Sequence, residues 1–324
     1  MRKTPASLRS DGPRPDCSVL VARKVTKRVA ELGVIPTLIG KMTRTALAIA
    51  ILFLELAGAA PAQDKPIAVP DLNTILMEST FRIHGPKKGD GNAISFGTTF
   101  LIGKPTPDKT KLYYVLITAA HILEGINGES GTLTLREKHS DGSYAQKPWN
   151  VRLRDKDKAL YVKHKDADVV ALYVDMPDDL NVQILPVGLL ADDELLKKYE
   201  IHPGDELLCL GFPLFVSSEA GFPILRSGKI ASYPIIPTKV NKSILFDFRV
   251  FEGNSGGPVY FVDHGRTYGG VTHLGETVQF VVGLVTSQLS SKIYNNQMLQ
   301  LATVVPSAYI LETIDLLPAT SPYK

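Results

Sequence analysis

The 324-residue chain carries 36 Lys and Arg against 33 Asp and Glu, a formal net charge of +3. Ten of the basic and four of the acidic residues fall within residues 1–62, so residues 63–324 hold 26 basic and 29 acidic residues and a net charge of −3. That balance gives nucleic-acid binding no electrostatic support, and with Cys17 upstream and Cys209 the one remaining cysteine, an intrachain disulfide within residues 63–324 is excluded.

In chain order, the N-terminal region has the pattern of a targeting segment. Residues 46–54 form a nine-residue apolar run, too short to span a bilayer unaided. Lys41 and Arg44 precede it, and Ala60-Pro61-Ala62 offers small residues for cleavage, giving a processed chain that starts near Gln63. Met42 would itself start a signal peptide of ordinary length, leaving residues 1–41 as an upstream extension. Glu55 is an unusual end to such a core, so an uncleaved membrane tether through residues 46–57 stands as the alternative. Either way the expectation is an exported protein, periplasmic or secreted, with or without an anchor.

Beyond residue 62, short apolar runs recur, broken by Gly, Pro, Asn and Asp, which is the pattern of an all-β chain. Strands are predicted over residues 111–118, 131–135, 168–174, 206–211, 242–250, 258–262 and 277–286. The segment 124–165, with Asp141-Gly142, Trp149 and alternating charges over 152–158, is expected to make exposed hairpins. Cys209 falls in a predicted buried strand, where a small core residue fits better than a second nucleophile. Helical signals are few: one or two turns at 192–198 and a helix over 306–317. In that helix Ser307 would cap, and Tyr309, Ile310, Ile314 and Leu317 would face the core. The length after residue 62 suffices for two packed barrels, and no internal repeat of about 20–50 residues is present.

Three short blocks carry chemistry. Gly253-Asn254-Ser255-Gly256-Gly257-Pro258-Val259 sets a serine among glycines. Glycine admits backbone dihedrals that let neighbouring N–H groups converge on one point. The N–H groups of Gly253 and Ser255 would form such a pair, an oxyanion hole beside the Ser255 hydroxyl. A serine hydroxyl needs a base, and the base needs an orienting partner. The apolar run from Tyr113 ends in Thr118-Ala119-Ala120-His121, and the alanines leave room for the imidazole beside another chain segment. Asp166-Ala167-Asp168 then precedes an apolar strand, where a carboxylate can accept from an imidazole N–H. His164 competes with His121 as the base and Asp166 with Asp168 as the orienter, though each lacks the better setting. His84, His139, His202, His264 and His273 also lack metal-ligand spacing, so no metal site is expected.

These blocks resemble those of trypsin-like serine proteases, in that family's order of His, Asp and Ser. Asp168 follows His121 by 47 residues and Ser255 follows Asp168 by 87, which fits the family's spacing. Further segments are similar to the bacterial HtrA/Deg-like branch. Residues 95–102 resemble its strand before the histidine, and 204–213 and 227–232 its first strands of the second barrel. Residues 282–286 resemble the strand lining the substrate cleft, and 304–307 the entry to the closing helix. The resemblance spans roughly residues 75–316. It implies two six-stranded Greek-key β-barrels with the active site between them and a C-terminal helix. Residues 1–62 would be extension and leader, 63–185 the first barrel with His121 and Asp168, and 186–324 the second barrel with Ser255.

The resemblance also implies a serine endopeptidase that needs no cofactor and acts on protein or peptide substrates. Val285, Thr286 and Ser287 would line the substrate backbone, and Arg249 would either reach the primary pocket or point to solvent. By analogy a homo-oligomer could form through residues 66–77. Two departures stand out. Asn254 occupies the place where digestive relatives carry an acid that pairs with a newly released N-terminus, so activation of that kind is not expected. Only 69 residues follow Ser255, too few to finish a barrel and add a PDZ module. Two other classes remain open: a non-catalytic or latent chaperone-like scaffold, and an esterase using the same triad. An α/β-hydrolase is disfavoured by the order of the three groups.

Overall fold

A computed structural model describes residues 71–180, 182–291 and 297–323; the expected leader, the tether at 46–57 and Cys17 lie outside them. The described chain starts with a helix absent from the predicted elements. The Asp71 side chain accepts from the N–H groups of Asn73 and Thr74 and caps α1 (Leu72–Ser79). Leu72 and Leu76, one turn apart, are fully buried. At the other end Arg136 donates to the Met77 and Glu78 carbonyls, two of the acceptors a helix leaves open. Its guanidinium lies between the rings of Phe81 and Phe222, 4.4 Å from each.

Ten strands follow: β1 (Thr80–Lys87), β2 (Asp90–Pro105), β3 (Leu112–Thr118), β4 (Ser130–Lys138), β5 (Tyr144–Arg152), β6 (Arg154–Asp155), β7 (Lys158–Ala159), β8 (Val162–Lys163), β9 (Val170–Tyr173) and β10 (Leu185–Pro186). The short helix α2 (Ala120–Gly125) follows β3. The main sheet has the order β5-β4-β1-β2-β3-β9-β8, with β10 added parallel to β2. This is an eight-stranded sheet where six strands were expected. The segment 124–165 is the reason. β4 pairs with β1 and buries Leu133 and Leu135, and β5 lies antiparallel along the whole of β4. The expected solvated hairpins are therefore mostly sheet, with an exposed tip at 139–143; Trp149 is half-buried and donates to the Asp175 carbonyl.

The second half opens with α3 (Asp193–Lys198), whose first turn is capped by the Asp192 side chain. Then come β11 (Glu206–Gly211), β12 (Ile224–Ile230), β13 (Ile244–Asp247), β14 (Pro258–His264), β15 (Thr267–Tyr268), β16 (Val271–Thr272), β17 (Thr277–Ser291) and β18 (Gln297–Pro306). Six of them close a barrel in the order β11-β12-β13-β18-β17-β14. Cys209 is buried in β11 and burial pushes its thiol up to about 12, so it stays protonated and serves as packing.

The last helix among the described residues is α4 (Ser307–Asp315). Tyr309, Ile310, Ile314 and Leu317 are buried as the periodicity predicts. Ser307 does not cap: it is the first helical residue, and its hydroxyl donates to the Val281 carbonyl at 2.6 Å. Two apolar cores result. One fills the first sheet and reaches Leu210, Tyr260, Val281, Leu284 and α4; the other fills the barrel. Tyr260 is fully buried between them, and its hydroxyl donates to Asn73 of α1. Among the described residues no helix is long and apolar enough to cross a membrane.

Because α1 is pinned by two leucines, Leu76→Ala should cost about 2–5 kcal/mol. Urea denaturation of the purified protein checks this as a lowered midpoint with little change in slope.

Candidate active site

β3 is buried from Val115 to Thr118 and delivers Ala119 and Ala120, both fully buried, to the start of α2. Their small side chains let the first turn sit against the sheet, and His121 emerges at its edge with its side chain 45% exposed. β9 pairs with β3 in the register Thr118↔Val170. That register sets Asp168, two residues before Val170, opposite His121, three residues after Thr118. The Asp168 carboxylate takes both available protons of its partner. Oδ2 lies 2.6 Å from His121 Nδ1, and Oδ1 accepts from the His121 backbone N–H at 3.0 Å.

A carboxylate can only accept, so Nδ1 carries the proton and the ring's remaining lone pair is on Nε2. Burial pushes the Asp168 carboxyl up, but hydrogen bonding and charge from His121, with backbone N–H groups of His121 and Ala120, outweigh it and hold the group below its ordinary value. The two rivals point elsewhere. His164 is 5% exposed, packs edge-on to Tyr309, accepts from the Asp166 N–H at Nδ1 and meets Glu312 at Nε2. Asp166 faces Lys242 at 3.9 Å.

The serine loop is held almost wholly by backbone. Asn254 N–H donates to Phe251 O, Gly256 N–H to Val285 O and Gly257 N–H to Asn254 O. Among the described residues, the N–H groups of Gly253 and Ser255 donate to no protein acceptor. These two free donors are the pair expected from the sequence. Gly253 has φ 95°, and a Cβ there would stand 2.2 Å from the Phe212 carbonyl oxygen. Gly256, at φ 85°, would place a Cβ 2.0 Å from Thr98 O and 2.2 Å from Thr118 Oγ1. The loop thus lies flat against the strand that leads to His121. Asn254 is 1% exposed and its side-chain oxygen accepts from the Phe251 N–H, which closes a tight turn within the loop.

Thr98 of β2 is the residue sequence reasoning passed over. It is fully buried, and four hydrogen bonds meet at it. Its N–H donates to Ser255 O at 2.8 Å and its hydroxyl to Gly253 O at 2.6 Å. The same hydroxyl accepts from Phe212 N–H, and its carbonyl accepts from Thr118 Oγ1 at 2.7 Å. A threonine inside a predicted strand gives no signal of this, since the partners are 114 to 157 residues away or on the next strand.

β17 supplies the third side. Val285 is fully buried and both its backbone groups are occupied, N–H to Gly257 O and C=O from Gly256 N–H. Its register with β18 shifts between Val285 and Ser287, so Thr286 bulges. The Thr286 carbonyl accepts from Ser255 Oγ at 2.9 Å, its own hydroxyl donates to Thr303 O, and Ser287 is exposed. No hydrogen bond joins Ser255 Oγ to the His121 ring among the described residues. Arg249 is exposed, with its guanidinium 4.9 Å from the Phe251 ring.

No protein-family model and no curated protein sequence matches the chain. Among solved structures, the Rv3671c protease from M. tuberculosis in its active form aligns with a TM-score of 0.43 and 18% identity, over 77% of this chain and 85% of that one. The protease Anisep from Arthrobacter nicotinovorans aligns with a TM-score of 0.43 and 14% identity, over 74% of this chain and 94% of that one. Similarity of this order leaves the chemistry to be read from the residues themselves.

Thr98→Val keeps the shape but strands a buried carbonyl at Gly253 and a buried N–H at Phe212. It should cost about 1–3 kcal/mol, seen as a lower denaturation midpoint. Asp168 gives a second test. Its folded value is depressed, so its ionisation stabilises the fold above the unfolded value and that contribution is lost as pH falls through the folded one. The stability gap between wild type and Asp168→Asn should therefore narrow below about pH 4; a gap independent of pH would contradict the pairing.

Proposed function

We propose that the chain is an exported serine endopeptidase of the trypsin-like kind, related to the HtrA/Deg branch. The observation that carries this reading is the doubly held His121–Asp168 pair, which fixes the imidazole tautomer with its lone pair on Nε2. The free N–H groups of Gly253 and Ser255 support it. So does the strand order, because β4-β1-β2-β3 in the first half and β14-β11-β12-β13 in the second both follow the Greek-key sequence 4-1-2-3. On this reading the first sheet is a Greek-key barrel enlarged by β5, and the active site lies between the two.

In the mechanism, Ser255 leaves the Thr286 carbonyl by rotation about its side chain and presents its proton to His121 Nε2. His121 takes that proton as Oγ attacks the scissile carbonyl, and Asp168 stabilises the imidazolium. The Gly253 and Ser255 N–H groups receive the oxyanion, each worth about 3 kcal/mol in the transition state. His121 then protonates the leaving amine, and water repeats the sequence on the acyl-enzyme. A peptide laid along Thr286 and Ser287 would compete for the Thr286 carbonyl and so release the serine. The residues of the site supply every step.

The Ser255–Thr286 hydrogen bond favours a second reading, a latent site of scaffold or chaperone type that opens only with a bound peptide or partner. Export directed by residues 1–62, with an uncleaved tether at 46–57 as the alternative to cleavage, and a homo-oligomer belong to the proposal as well.

A fluorophosphonate probe should label the wild type and neither Ser255→Ala nor His121→Ala. Asp168→Asn should label slowly, with turnover down about 10⁴-fold. Labelling that appears only when a peptide is added would favour the latent reading. Undiminished labelling of His121→Ala would remove the base assigned here.

A further inference from the structure

Two consecutive non-glycine residues just after β11 sit in the left-handed region, Leu214 at φ 51° and Phe215 at φ 70°. Leucine and phenylalanine have no local hydrogen bond to offer there, so neighbouring groups must hold them. Arg82 of β1 is that neighbour. Its Nη1 donates to the Phe215 carbonyl at 3.0 Å, and its guanidinium carbon lies 3.8 Å from the centre of the Phe215 ring. Nη2 reaches Thr134 Oγ1 at 3.3 Å, which anchors the guanidinium on β4. Phe96 and His84 meet the same ring edge-on, at 5.1 and 5.5 Å. Arg82 Nε is buried without a partner, so the charge is kept here against an unfavourable desolvation.

The strained pair touches the site at one point. The Leu214 N–H donates to the Glu252 carbonyl at 2.7 Å. In a planar trans peptide the C=O and the following N–H point in opposite directions. A Glu252 carbonyl fixed toward Leu214 therefore sends the Gly253 N–H the other way, where it stays free beside Ser255. Phe212, at the loop's near end, presses on the same glycine: a Cβ at Gly253 would stand 2.7 Å from the Phe96 ring and 2.2 Å from Phe212 O.

We propose that Arg82 is a positioning residue for the anion-binding N–H pair, acting through Phe215 and Leu214 on the Glu252–Gly253 peptide. The proposal rests on the serine-hydrolase reading and names a group that reading does not use. Without the guanidinium, Phe215 and Leu214 relax toward right-handed dihedrals, the Leu214 N–H leaves Glu252 O, and the Gly253 peptide loses its fixed direction.

The test uses the full chain as wild type, Arg82→Met, Arg82→Lys and the double variant Arg82→Met with Leu214→Gly. Methionine keeps the length of the stem but neither the stack nor the donor. Fluorophosphonate labelling of Ser255 should slow by about 10²- to 10³-fold in Arg82→Met, with kcat on labelled casein falling in step and KM within about twofold. Glycine takes φ 51° freely and keeps the backbone N–H, so the double variant should recover at least tenfold of the lost rate. Loss of a merely structural arginine would not be rescued in that way. Should Arg82→Met not fold, Arg82→Lys carries the test, with the same slow labelling expected. Wild type that fails to label both without and with added peptide removes the serine-hydrolase reading itself. Wild type that labels, with folded variants labelling equally fast or unrescued by Leu214→Gly, overturns the role of Arg82 alone.

Discussion

Four hydrogen bonds through Thr98 hold the candidate site together, and the rest of the arrangement depends on them. Its N–H and hydroxyl grip the carbonyls of Ser255 and Gly253, its hydroxyl also receives Phe212, and its carbonyl receives Thr118. The constraint behind this is glycine. A loop that must free two N–H groups and carry φ values of 95° and 85° cannot be anchored by bulky side chains. It is anchored instead by a neighbouring strand, and β2 lies against both the serine loop and the strand that leads to His121. Fixing the loop to β2 therefore fixes its distance from the base.

Around that junction the work is divided by element. The first sheet supplies a carboxylate and an imidazole whose relative position follows from one register, Thr118↔Val170. The barrel supplies the serine, and β17 braces it through Val285 while the bulge at Thr286 leaves a carbonyl facing the hydroxyl. Arg82 reaches from β1 to the loop behind the Gly253 peptide. Each of these contacts spans a large sequence separation, so the site exists only in the folded chain.

What was legible in the sequence follows from this. Short apolar runs bounded by turn residues reveal strands, so β3, β9, β11, β14 and the body of β17 stand close to their predicted bounds, and α4 shows the expected buried face. Chemistry-bearing residues in local motifs were also legible: His121, Asp168, Gly253 and Ser255 are named by their immediate neighbours. Long-range partners were not. Thr98 and Arg82 look like ordinary strand residues, and their roles come from chain segments more than 110 residues away. α1 was hidden because its cap, Asp71, and its two buried leucines make a short pattern with no acidic first turn. Ser307 illustrates the opposite error: its position fits a cap, but a buried carbonyl at Val281 captures the hydroxyl. The strand at 131–135 was legible, but β5 and the docking of the β4–β5 hairpin on β1 were not, because polar residues alternate along a half-exposed sheet.

The central claim is that Ser255 becomes acylated by a group transferred from substrate. The most direct measurement is intact-mass and peptide-mapping mass spectrometry on protein mixed with p-nitrophenyl acetate and quenched in acid within milliseconds to seconds. One acetyl group is expected, carried on the peptide containing Ser255, absent in Ser255→Ala and in His121→Ala, and turning over with time. Acetylation spread over lysines, or found equally in Ser255→Ala, would contradict it.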